Sequence, residues 1–130
     1  MNEELEYKFE TTDVLGRNVK LKQSTWDYHI INEHEERTHF TGKEKFFENI
    51  VEDPDLIHKQ KAKGNKDRWN YSAYGTINGE GNPKIYNVIV EESSDFTHYD
   101  VVTIMEKSNT RVKPNERDKE AIVYARRKEY

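Results

Sequence analysis

The stretch TGKEKFFENIVEDPDLIHKQKAK, residues 41–63, decides the fold. In its first half Phe46, Phe47, Ile50 and Val51 recur at helical spacing behind Thr41 as N-cap and Glu44 at the third position. That pairing satisfies the free N–H groups of a first helical turn and predicts a helix. Pro54 sets its limit near Asp53, because the residue before a proline is steered away from helical backbone. From Leu56 onward the apolar period drops from about 3.6 to about 2, the repeat of a strand. One change of period at one proline predicts helix before it and sheet after it.

Outward toward the N-terminus, Ser24 and Asp27 form a second capping pattern, and Trp26, Ile30 and Ile31 follow at helical spacing, which predicts a first helix over 25–36. Upstream, Tyr7, Phe9 and Val14, then Val19 and Leu21, flank a Gly16-Arg17-Asn18 turn and predict a small hairpin over 5–22. Outward toward the C-terminus, strands are expected over 56–63, 68–75, 84–92 and 100–105. They are joined through Lys63-Gly64-Asn65, Asn78 to Pro83 and Ser93-Ser94-Asp95, turn chemistry of hairpin length that implies an antiparallel meander. Asn115 to Asp118 caps a final helix through Ala121, Ile122 and Ala125. The fold class expected is α+β: two N-terminal helices packed on one face of a four-stranded antiparallel meander sheet, with a small N-terminal hairpin, in a single domain of 130 residues.

Composition narrows the function classes. Leu, Ile, Val and Phe number only 27, close to the composition of disordered chains, but 12% of residues are aromatic. Large rings bury much area each, so a thin aromatic core is expected. The absence of cysteine excludes disulfides, thiolate metal sites and a cysteine nucleophile. No apolar run approaches about 18 residues and the first ten residues are acidic, so the expectation is a soluble, cytoplasmic protein with no membrane partner. The net charge of −4 hides segregation by sign. Residues 1–56 carry 7 basic and 14 acidic groups, 57–86 carry 6 and 2, 87–103 none and 4, and 104–130 carry 8 and 5. That pattern fits one cationic face on an acidic body, suited to holding a polyanion locally, or an ordinary solvated surface.

The residues with chemistry are few. His29 and His34 lie on the first predicted helix, about 140° apart in α-geometry, so they do not share a face. His34 and His39 superficially resemble a zinc-protease pair, but that pair needs a spacing of four, not five; no metal or cofactor is expected. Lys59, Lys61 and Lys63 fall on one face of a predicted strand, roughly 7 Å apart, near the spacing of successive phosphates. The plainer alternative is a charged edge strand that discourages aggregation. Arg68, Asn70, Ser72 and Tyr74 alternate with Trp69, Tyr71 and Ala73; the second set should face the helices, and the first offers a lining for phosphate and base. Thr103 stands among apolar residues of the last strand, where a β-branched residue also fits for structural reasons.

The order of these pieces carries a resemblance. A hairpin, Trp26-x-x-His29-Ile30-x-x-x-His34, a helix ending at Asp53-Pro54-Asp55-Leu56-Ile57, a strand with Arg68, an apolar strand around Tyr86 to Val90 and then Val102-Thr103 resembles the phage-associated nucleases of the barnase, EndoU, colicin and RelE-like superfamily. The match covers about residues 13–106. It implies a phage- or toxin-type endoribonuclease that works without metal, with His29 and His34 from the helix, Arg68 from the second strand and Thr103 from the last as site residues. Lys59, Lys61, Lys63 and Asn70 would hold RNA. RNA is the partner implied, with an inhibitor or immunity protein beside it. Two departures stand out: Ile104 and Met105 follow the Thr where a small residue and Tyr are usual, and Glu35 stands where Pro often follows the second His.

The chemistry suits these residues. Cleavage through the 2′-hydroxyl needs a base, an acid and cations for the phosphate, and imidazole titrates near neutrality. His29 or His34 would move protons, Arg68 would grip the phosphate, and Thr103 would donate to a nonbridging oxygen. The alternative is a catalytically inactive nuclease-fold protein that binds RNA or another protein.

Overall fold

The computed structural model describes residues 6–32, 39–61, 67–108 and 122–126. Its centre is one mixed sheet of seven strands: β1 (Tyr7–Thr12), β2 (Asn18–Lys22), β3 (Leu56–Lys61), β4 (Asp67–Gly75), β5 (Lys84–Glu92), β6 (Tyr99–Ser108) and β7 (Ile122–Ala125). Two helices, a π-helix over Thr25–Asn32 and α1 over Glu44–Glu52, complete the described elements. The spatial order β1-β2-β6-β5-β4-β3-β7 corrects the expected four-stranded meander. Strands β3 to β6 pair antiparallel in sequence order. The hairpin β1–β2 is part of the same sheet, joined by a parallel pairing of Val19 with Tyr99 and Lys20 with Asp100. At the opposite edge β7 pairs with Leu56, Ile57 and His58. Period-2 patterning marks strands but carries no information on distant partners, which is why the edges of the sheet went unforeseen. The final helix expected from 115 onward is also corrected: Ile122–Ala125 is strand, and 109–121 lie outside the described residues.

The helices depart from expectation in detail. The first is wound with i→i+5 bonds, a rare form in which the 100° step of an α-helix does not hold. The angular separation of His29 and His34 therefore loses its basis, and His34 lies outside the described residues. Helix α1 begins behind Lys43, which makes no side-chain cap, rather than behind Thr41. Phe47, Ile50 and Val51 form its buried face, and Pro54 follows its end as read from the sequence.

One face of the sheet packs against both helices. Ile57, Tyr71, Tyr86, Val88, Val90, Val101 and Ile104 meet Trp26, Ile30, Phe40, Phe47, Ile50 and Val51 there, with Phe9, Val19 and Leu21 from the hairpin. Rings dominate: Phe40 and Phe47 meet edge-on at 4.9 Å, and so do Phe46 and Tyr86. The thin aromatic core expected from composition is what the chain builds.

The hairpin turn reaches over this face to β4. Asp13, with its side chain fully buried, accepts from the backbone N–H of Leu15 at 2.9 Å and of Arg17 at 2.8 Å, from Arg17 Nε at 2.8 Å, and from the Tyr71 hydroxyl. Arg17 Nη2 donates to the same phenol at 3.0 Å, and its guanidinium lies 4.4 Å from the Trp69 ring centre and 4.9 Å from that of Tyr99. Gly16, at φ +86, supplies the left-handed residue the turn requires.

Burial pushes the Tyr71 phenol well above its ordinary value, with the bond to Asp13 adding to it, and pushes Tyr86 up to about 12, with Glu106 adding to it. Unfolded tyrosines titrate near ~10, so the stability these phenols contribute is intact below about pH 10. It is lost as pH rises through the folded values. Tyr71→Phe should cost about 1–2 kcal/mol at neutral pH, and should flatten the loss of stability above about pH 10, both read by urea unfolding across pH. An alkaline limb identical to the parent's would refute that assignment.

Candidate functional site

The other face of the sheet carries the polar side chains. Register pairs Thr103 of β6 with Ile89 of β5, Ile89 with Asn70 of β4, and Asn70 with His58 of β3, so these four stand in one row across the sheet. One step along the strands, Glu91, Arg68 and Gln60 form a second row; one step the other way, Met105, Asn87, Ser72 and Leu56 form a third. Ile89 is buried yet stands apart from the core cluster around Trp26 and Phe47, as this opposite face requires.

Here Arg68, Asn70 and Thr103 come together, on the face turned away from the helical core. Register spacing puts Thr103 and Arg68 about 10 Å apart across the sheet and about 7 Å along it. Arg68 Nε donates to Glu91 Oε1 at 2.7 Å, with the Arg68 side chain 40% exposed. His58 was not singled out in the sequence. Strand alternation would have found it, since it sits one residue from Lys59 and hence on the opposite face, with Asn70. Its Nε2 lies 3.5 Å from Asn70 Nδ2 and 3.4 Å from Gln60 Nε2, both amides able to donate to it.

In the third row the carbonyl side of the Asn87 amide is satisfied by its neighbours. Asn87 Oδ1 accepts from Asn70 Nδ2 at 3.1 Å and from Ser72 Oγ at 2.9 Å. Asn70, Ser72 and Asn87 are all buried, which polar side chains tolerate when hydrogen-bonded.

His29 is exposed, while its neighbours Trp26 and Ile30 are buried. With Lys22 and Thr25 it lines a recess of about 450 Å³ whose other wall includes Glu91, Glu92, Asp100 and Val102. Glu91 is the partner of Arg68, and Val102 precedes Thr103, so this recess abuts the rows just described.

The lysines are placed differently. Lys59 pairs with Trp69 in register and lies on the helix-facing side, so Lys59 and Asn70, expected to hold RNA together, stand on opposite faces of the sheet. Lys59 forms an ion pair with Asp67 at 2.9 Å and lies 5.4 Å from the Trp69 ring centre. Lys61 pairs with Asp67 in register, and Lys63 lies outside the described residues. Among the described residues β7 pairs with β3 at Leu56, Ile57 and His58, ahead of Lys59 and Lys61.

Glu91 keeps Arg68 occupied, so an incoming phosphate must compete with a carboxylate for the guanidinium. Glu91→Gln should tighten binding of a short RNA by about 3- to 10-fold, and Arg68→Ala should weaken it, both read by fluorescence anisotropy at fixed salt. Equal affinities for the parent and Glu91→Gln would show that the ion pair does not gate the site. No family model, curated protein or solved structure matches this chain.

Proposed function

We propose that this protein is a metal-independent endoribonuclease whose substrate lies on the face of the sheet opposite the two described helices. The observation that carries the reading is the convergence of Arg68, Asn70 and Thr103, marked in the sequence by alternation and by resemblance to phage-associated nucleases, on one face with a histidine, His58. A guanidinium, an amide, a hydroxyl and an imidazole are the groups a phosphodiester transfer needs.

In that reaction the ribose 2′-oxygen bonds to phosphorus, the bond from phosphorus to the 5′-oxygen breaks, and a 2′,3′-cyclic phosphate and a 5′-hydroxyl result. Arg68 grips the phosphate once Glu91 yields it, and Thr103 donates to a nonbridging oxygen. One imidazole takes the 2′-proton and a second group returns a proton to the leaving oxygen. His58 stands on the face itself and His29 at its border, and these two are the proton-transfer candidates among the described residues; His34 keeps the role the resemblance implies. The need for a 2′-hydroxyl makes RNA the substrate rather than DNA.

The second reading, a nuclease-fold protein that binds RNA or a protein without cutting, is favoured by one observation: Arg68 is already held by Glu91 at 2.7 Å. Incubation of the purified protein with mixed RNA, with and without chelator, separates the two. The nuclease yields cyclic-phosphate ends in both conditions and leaves 2′-deoxy substrate intact. Arg68→Ala and whichever of His58→Ala and His29→Ala removes the proton carrier should each lower cleavage by about 10²-fold or more at unchanged melting temperature. Binding without cleavage would leave the second reading in place, and full activity in a His29, His34, His58 triple alanine variant would eliminate histidine chemistry.

A further inference from the structure

We infer that Asn87 reads the base on this face at the edge where O4 of uracil and O6 of guanine replace the amino groups of cytosine and adenine, and so selects uracil or guanine; the inference rests on the reading of the face as an RNA site. Asn87 stands on β5 between Ser72 of β4 and Met105 of β6, at 5% exposure. Its Oδ1 accepts from Asn70 and from Ser72, both on β4, so the carbonyl side of the amide is turned to that strand and its two lone pairs are used. The amide is planar, so Nδ2 is turned the other way, toward the strand that carries Thr103. Nδ2 is buried and, among the described residues, has no hydrogen-bond partner.

Buried polar groups are nearly always paired, because an orphaned donor forfeits its bonds to water without replacement. At the centre of a fully paired polar cluster, one unmatched donor is the mark of a group whose partner arrives with the ligand. The chemistry of that partner follows from what is missing. Asn87 has donors to offer and no acceptor capacity left. Uracil and guanine carry a carbonyl oxygen where cytosine and adenine carry an amino group, and an amino group set against Nδ2 would place N–H against N–H.

Two neighbours give access and aim. Met105, directly across from Asn87, is half-buried, unbranched and able to swing aside. The β5–β6 ladder shifts register between Ile89 and Val90, a bulge of the kind that re-aims nearby side chains, and Thr103 is the residue it sets opposite Ile89. A base over Asn87 would thus place its own phosphate toward Thr103 and Arg68.

The test uses 2′-O-methyl hexanucleotides, which cannot be cut by 2′-hydroxyl attack, so binding is read free of cleavage. Oligouridine, oligocytidine, oligoadenosine and a cytidine hexamer with one central guanosine are titrated against the full chain. The uridine and guanosine oligomers should bind about tenfold tighter than the other two. Asn87→Asp, which turns a donor into an acceptor, should shift the preference toward cytidine and adenosine, and Asn87→Ser should level it. The Ser variant keeps the test open if the Asp variant fails to fold. Equal binding of all four oligomers by the parent chain, or a preference unchanged in both variants, overturns the inference while leaving an RNA site in place. Binding of none of them overturns the RNA reading itself and this inference with it.

Discussion

A single buried carboxylate sets the relation of the hairpin to the rest of the molecule. Asp13 collects two backbone N–H groups of its own turn, the guanidinium of Arg17 and the hydroxyl of Tyr71. A buried charge is tolerated only when its acceptor sites are filled, and here every donor is delivered by folding. The parallel seam between β2 and β6 is two residue pairs long, too short to orient the hairpin by backbone bonds alone. The clamp on Tyr71, three strands away, does so instead. Once the hairpin is fixed, Phe9, Val19 and Leu21 close the core, and the chain leaves β2 at Lys22 directly into the π-helix.

The two faces of the sheet then diverge in character. The helix-facing side is filled with aromatic and branched residues, and both helices spend their apolar surface there. The other side receives the alternate residues of β3 to β6, among them amides, hydroxyls, an imidazole and an ion pair set between Leu56, Ile89 and Met105. Such a division costs nothing in the strands themselves, because side chains alternate whatever their chemistry. It supplies a rigid backbone grid on which polar groups are held at strand spacing, a more precise mount than a loop.

Much of this was legible in the sequence, and the exceptions have physical reasons. Strand positions from Leu56 to Met105 follow from period and turn residues, and the alternation at 68–74 correctly puts Trp69, Tyr71 and Ala73 on the helical side. What alternation within one strand cannot supply is the alignment between strands. The meeting of Arg68 with Glu91, or of Asn70 with His58, depends on register, which is settled by long-range packing. The parallel seam and β7 were invisible for the same reason. The wide winding of the first helix had no signal either, since Trp26, Ile30 and Ile31 fit an α-helical spacing equally well. Of the proposed site, Arg68, Asn70 and Thr103 were picked out in the sequence by residue type, while Glu91 and Asn87 gain meaning only from their neighbours across the sheet.

The strand order also shapes how the chain reaches this structure. Strands β3 to β6 pair with sequence neighbours through short turns, so they can assemble early with little loss of loop entropy. Val19 pairs with Tyr99, and Leu56 with Ala125, across long stretches of chain, so both contacts carry a large loop-closure cost. The meander is thus the natural nucleus, and the two flanking additions are the slow steps. Until they arrive, the free edges of β3 and β6 are open templates for another chain. The lysines on β3 stand where that hazard lasts longest.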